Sequence, residues 1–145
     1  MKKIFIIEDD SDILSGLNDL FTSNDYEVET NDSMEELEEI IKKIEKFQPD
    51  IVVLDIVLPK LDGLEIIKKI KENDKINNAE IFIFTDLSDE DSRSRSVGLG
   101  ANYYFLKSEF DIYTFSNKVM RITDREEASL IEDEDDNQES DLVLD

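Results

Sequence analysis

Residues 51–63 read IVVLDIVLPKLDG. The run opens with four consecutive aliphatic residues, Ile51 to Leu54, and breaks abruptly on Asp55. A strand with one wet face alternates apolar and polar residues, whereas an unbroken apolar run is buried on both faces, as strands inside a parallel sheet are. Working outward, Ile4–Ile7 and Ile81–Phe84 have the same unbroken character. Tyr26–Thr30 and Tyr103–Leu106 are short and rich in β-branched or aromatic residues, so they read as two further strands. Longer amphipathic segments lie between them. Ile13, Leu14, Leu17, Leu20 and Phe21 recur at helical spacing, as do Leu37, Ile40, Ile41 and Ile44. Leu64, Ile67 and Ile70 mark a third helix starting near Asp62; Ser88–Leu99 is a thinner fourth; Ile112, Phe115, Val119 and Ile122 mark a fifth. Ser33 with Glu36 reads as a capping box for the second helix, and Ser88 with Asp91 as a cap for the fourth. Five strands alternating with five helices predict an α/β fold with right-handed crossovers, a doubly wound parallel sheet.

Composition removes much of enzyme chemistry. The 145 residues contain no Cys and no His, which excludes disulfides, thiolate nucleophiles, imidazole-based triads and His or Cys metal cages. Sixteen basic residues against 38 acidic ones give a net charge of −22. Nucleic-acid backbones and anionic lipid are both bound mainly through Lys and Arg, so direct contact with either is not expected. No apolar stretch has the length of a signal peptide core or a membrane span, and a cytoplasmic location is expected. Charge also divides the chain. Residues 124–145 carry eleven acids and one base, a balance of −10, leaving −12 on residues 1–123. Glu132–Ser140 has no apolar residue, so a body over 1–123 and a disordered acidic tail over 124–145 are expected. Leu142, Val143 and Leu144 offer a short docking motif, although a solubilising tail is the simpler reading.

Ligands on a doubly wound sheet bind beyond the carboxyl ends of the strands, where the strand order reverses. Those ends carry Glu8, Asp9 and Asp10, then Asp55, Thr85 and Lys107. With strand order 2-1-3-4-5, the first and third strands are neighbours and Glu8, Asp9 and Asp55 converge. Two unit charges about 5 Å apart at an effective dielectric near 20 repel by roughly 3 kcal/mol, so such a cluster calls for a cation. An all-oxygen site with open positions suits Mg²⁺. Taken singly, each acid also reads as a solvated strand cap; the set falling together is what points to a site.

In order and spacing, IFIIEDDSDI, VVLDIVLPKLDG, IFIFT and GANYYFLK resemble the response-regulator receiver domain over about residues 2–122. The resemblance implies a flavodoxin-like (βα)5 fold with strand order 2-1-3-4-5. It makes Asp55 the phosphoacceptor of a two-component phosphorelay. Glu8 and Asp9 become the acidic pair that holds Mg²⁺ together with Asp55 and the carbonyl of Val57, Asp9 being the direct ligand. It makes Thr85 the switch hydroxyl, Lys107 the cation facing the phosphoryl group, and Tyr104 the aromatic that turns on activation. Pro59 and Gly63 match the loop after the acceptor. Such a domain catalyses its own phosphorylation without being an enzyme in the ordinary sense. Its donor would be a sensor histidine kinase or a phosphotransfer protein, since this chain has no His of its own, and its output would be altered contact with a downstream protein. By the same resemblance, Val57 and Leu87 govern the approach of the hydrolytic water.

The chain departs from the receiver pattern at Ser108, where proline usually follows the lysine, and at Asp86, where a small residue usually follows the threonine. Without that proline a cis bond would cost about 2.5–4 kcal/mol, so a trans bond and a displaced lysine are expected. A dehalogenase-like phosphatase would need an aspartate at position 57, which is Val57, and a flavin phosphate loop would be repelled by Glu8-Asp9-Asp10. The alternative is a non-catalytic pseudo-receiver, an interaction module whose acidic tail docks a basic partner. Only 23 residues follow Ile122, from which a stand-alone receiver is expected.

Overall fold

A computed structural model describes residues 1–131. The chain runs β1 (Lys3–Ile7), α1 (Ser11–Ser23), β2 (Glu27–Asn31), α2 (Leu37–Phe47), β3 (Ile51–Leu54), α3 (Gly63–Lys71), β4 (Glu80–Thr85), α4 (Glu90–Leu99), β5 (Tyr103–Leu106) and α5 (Ile112–Ile131). All strand pairs are parallel, in the order β2-β1-β3-β4-β5. The expected strand order and double winding are therefore what the chain adopts.

The sheet has a core on each face because successive strand residues point to opposite sides. Phe5, Ile7, Val52, Leu54, Ile81 and Ile83 pack against Ile40 and Ile44 of α2 and Ile66, Ile67 and Ile70 of α3. Ile4, Ile6, Val53, Phe82, Phe84 and Phe105 pack against Leu17 and Phe21 of α1 and Phe115 and Val119 of α5. Phe84 and Phe115 stack with ring centroids 4.0 Å apart. Both faces being filled explains why β1, β3 and β4 read as unbroken apolar runs. α4 buries only Ser96, in keeping with its thin apolar content.

Several boundaries differ from expectation. β2 starts one residue later, at Glu27, because Asp25 turns the chain at φ 70° and Tyr26 packs its ring edge-on against Phe21, 5.3 Å away. Ser33 does not cap α2. The Asn31 side chain takes the Ser33 N–H at 2.8 Å in a local turn, Ser33 itself has φ 70° and is fully buried, and the helix begins four residues later. Glu36 occupies the cap position without a side-chain cap bond. α4 is capped by Asp89, which accepts from the Ser92 N–H at 2.9 Å, rather than by Ser88; a carboxylate there also faces the positive end of the helix. α5 runs on through Ile131, so position 124 falls inside a helix. The expectations for Glu132–Ser140 and for Leu142, Val143 and Leu144 concern positions outside the described residues.

Candidate functional site

The carboxyl ends of β1, β3, β4 and β5 are held in step by ladder bonds that continue past the strands. The Glu8 N–H donates to the Asn31 carbonyl at 3.1 Å, the Asp55 N–H to Ile7 at 3.2 Å and the Lys107 N–H to Thr85 at 2.8 Å. Ile7 lies opposite Leu54 and Thr85 opposite Leu106, so Glu8, Asp55, Thr85 and Lys107 end up along one rim. Glu8, Asp9 and Asp55 each place a carboxylate oxygen within 4.8 Å of the others. Glu8 is 2% and Asp55 5% exposed, while Asp9 is open to solvent. Asp10, the third acid of the run, is spent on α1: its carboxylate accepts from the N–H groups of Asp12 and Ile13 at 3.0 and 3.1 Å.

Lys107 reaches into this cluster. Its ammonium lies 2.7 Å from Asp55 Oδ2 and 3.0 Å from Glu8 Oε1, and sits over the Phe84 ring at 5.9 Å. The repulsion anticipated among the acids is thus partly offset within the chain. No cis peptide occurs among the described residues, so the Lys107–Ser108 bond is trans as expected, yet the lysine still meets Asp55. Burial pushes the Glu8 carboxyl up, opposed by the Asp10 N–H and by Lys107. For Lys107 burial works against the charge, but Asp55 and Glu8 outweigh it and raise its pKa.

The second Asp55 oxygen, Oδ1, accepts from the Val57 N–H at 2.9 Å. Val57, 50% exposed, bridges to Asp62 across a tight loop, and Asp62 caps α3 by accepting from the Leu64 N–H at 2.9 Å. Gly63 is needed in that loop: a Cβ there would lie 2.3 Å from the Ile56 Cα. Lys60 ties the loop to the neighbouring one by donating to the Met34 carbonyl at 3.0 Å.

Thr85 is fully buried, and its Oγ1 accepts from the Leu87 N–H at 3.4 Å, a long bond. The Leu87 carbonyl in turn accepts from the Tyr104 hydroxyl at 2.8 Å. Tyr104 is half-buried, with Arg93 over its ring at 5.7 Å. Thr85, Leu87 and Tyr104 are thus joined through one peptide segment, a link with no sequence signal because both bonds use the backbone of Leu87. Asp86 is exposed.

Fold and rim together define a class: a parallel α/β domain with an acidic, lysine-bridged site at the carboxyl edge of its sheet. Residues 4–119 match the response regulator receiver domain family, and the chain belongs to it. It is 33% identical over 106 residues to the alkaline phosphatase synthesis transcriptional regulatory protein PhoP of Bacillus subtilis (strain 168), covering 73% of this chain and 42% of that protein. The chain therefore spans about two-fifths of the length of that relative. Among solved structures, a CheY-like receiver domain protein of Methanospirillum hungatei JF-1 superposes with a TM-score of 0.76 at 24% identity, covering 89% of this chain and 98% of that one. The BeF3-activated receiver domain of DrrB, a Thermotoga maritima protein, gives 0.70 at 30% identity, covering 86% and 99%. Among the described residues, no helix is long and apolar enough to cross a membrane.

Proposed function

We propose that this chain is a phosphoacceptor receiver, phosphorylated on Asp55 with Mg²⁺ and acting in the cytoplasm through contacts that depend on the phosphoryl group. The observation that carries this reading is the buried Asp55 carboxylate held 2.7 Å from the Lys107 ammonium, inside a three-carboxylate cluster. The donor set fits Mg²⁺: it is all oxygen, and exposed Asp9 leaves open positions for water and phosphoryl oxygens. Glu8, Asp9, Asp55 and the Val57 carbonyl are the groups to hold it. Bound there, the ion neutralises charge on the transferring phosphoryl oxygens.

The remaining work falls to the chain. An Asp55 oxygen attacks phosphorus in line with the leaving nitrogen of a phosphohistidine, the P–O bond forming as the P–N bond breaks. Lys107, already at the acceptor, shifts its ammonium onto a phosphoryl oxygen. Thr85 turns its hydroxyl toward another, giving up the long bond from Leu87. That releases the segment to which Tyr104 is tied and changes the surface formed by α4, β5 and α5. The phosphohistidine comes from a sensor kinase or phosphotransfer protein, because the chain has no His. A small phosphodonor with Mg²⁺ should add one phosphoryl group to the parent and none to Asp55→Asn, and BeF3⁻ with Mg²⁺ should shift the resonances of Thr85, Leu87 and Tyr104. Absence of both responses would leave the pseudo-receiver reading in its place.

A further inference from the structure

Charge is spread unevenly along the chain. The two longest stretches without an acidic residue are 92–108, which is 17 residues from α4 through β5, and 112–123, which is 12 residues of α5. Residues 92–123 as a whole hold five bases and two acids, Glu109 and Asp111, a balance of +3. The other described residues hold 28 acids against 11 bases, and residues 132–145 hold eight acids and no base. One region of a strongly acidic molecule is therefore positive. Of its five bases, Lys107 is turned into the Asp55 site, while Arg93 and Arg95 lie on α4 and Lys118 and Arg121 on α5.

The fold gathers these cations on one edge. Among the described strands β5 pairs with β4 alone. It is flanked by α5, which packs on one face of the sheet through Phe115 and Val119, and by α4, which packs on the other through Leu99. Each helix is also tied to the strand itself: Arg93 lies over the Tyr104 ring at 5.7 Å, and the Tyr103 hydroxyl donates to Glu126 Oε2 at 3.0 Å. Arg121 is exposed. Arg95 meets Asp91 at 3.8 Å, but the two side chains are 61% and 79% exposed, a surface pair that holds neither firmly. Asp111 is engaged at the start of α5, where its carboxylate accepts from the Thr114 N–H at 2.8 Å. Val97 on α4 and Tyr113 on α5 add two open apolar side chains.

We propose that residues 132–145 dock back along the α4–β5–α5 edge of their own chain. The segment follows α5 directly, so linkage holds it at high effective concentration beside that surface. Its reach is ample: 14 residues extend to about 46 Å, while the path along α5 from Ile131 back to Tyr113 is about 27 Å. Its eight acids match the cations of the two helices, and Leu142, Val143 and Leu144 match the open side chains of Val97 and Tyr113. Exposed ion pairs are individually weak and are screened by salt, so the contact is a set of shallow pairs that high salt dissolves. The same edge is the surface whose change was assigned above to phosphorylation. A protein that binds it has to displace the segment first; that consequence rests on the phosphoacceptor reading, whereas the docking does not.

The test uses the full chain without phosphodonor. Because the chain has no Cys, Ser140→Cys provides a single attachment point for a nitroxide spin label. At low salt the label should cost the amide signals of α4 and α5 their intensity and spare those of α2. The loss should vanish at about 1 M salt, where the screening length is about 3 Å. Replacing Arg95→Gln together with Arg121→Gln should reduce the loss, whereas Lys42→Gln together with Lys46→Gln, which removes the same charge from α2, should leave it unchanged. Asp55→Asn should behave as the parent does, so failure of the phosphoacceptor reading would not be mistaken for failure of this one. Isotope-labelled chain mixed with spin-labelled chain should show no loss. Signal loss in that mixture would give the edge to the segment of a second copy and overturn the proposal. Loss spread evenly over all helices, no loss at low salt, or equal effects of the two double replacements would overturn it as well.

Discussion

Lys107 has two ion-pair partners, Asp55 and Glu8, and both are buried carboxylates. Breaking such an arrangement by removing the cation leaves uncompensated charge in a low-dielectric site. Lys107→Ala is expected to cost about 3 kcal/mol near neutral pH in urea unfolding. The loss should shrink in acid: Glu8, already raised by burial, would rise further without the ammonium, and a carboxyl whose folded pKa lies above its unfolded value destabilises only as pH climbs through that value. A penalty constant from acid to neutral pH would mean that the lysine stabilises by packing alone. Val57 is half exposed beside Asp55, and neither Val57 nor Leu87 has a side chain that can orient a water. Val57→Asn and Leu87→Glu should therefore speed loss of label from phosphorylated protein by about tenfold, or about 1.4 kcal/mol of barrier. Unchanged lifetimes in both variants would remove these positions from control of hydrolysis.

At the level of elements, Ser33 separates sequence pattern from structure. Its hydroxyl is buried without a partner, whereas a helix cap would lose about 1 kcal/mol on replacement by Ala. Ser33→Ala should leave the midpoint of chemical unfolding unchanged or raise it slightly, because it deletes an unsatisfied polar atom. Strand order and the residues at each strand end were legible because both depend on runs of apolar side chains and where they stop. Leu54 to Asp55 and Ile7 to Glu8 are such stops, and the ladder bonds fix the positions of Glu8 and Asp55 just beyond them. Caps were harder to read. Ser33-x-x-Glu36 has the composition of a capping box, but Asn31 takes the Ser33 N–H and delays the helix, a competition between neighbours that composition does not rank. The Thr85–Leu87–Tyr104 link runs through backbone atoms, and the Tyr103–Glu126 bond joins residues 23 apart. Neither leaves a pattern in the chain.

Across the whole molecule a net charge of −22 sets up self-repulsion that monovalent salt screens. Melting temperature should rise with salt in the parent and in Asp9→Asn alike. At matched ionic strength, Mg²⁺ at about 10 mM should add roughly 1.4 kcal/mol to the parent alone, for a dissociation constant of about 1 mM. Equal Mg²⁺ responses in the two proteins would reduce the cluster to general screening. The bond between the Tyr104 hydroxyl and the Leu87 carbonyl has an optical consequence. The chain has four tyrosines and no tryptophan, so its ultraviolet emission comes from phenol rings unmasked by indole. Tyr103 donates to the Glu126 carboxyl and Tyr104 to the Leu87 carbonyl, so these two adjacent rings sit in different hydrogen-bonding surroundings. A phenol that exchanges a carbonyl acceptor for water changes its absorption edge and lifetime, so the unlabelled protein carries its own fluorophore at the Leu87 segment.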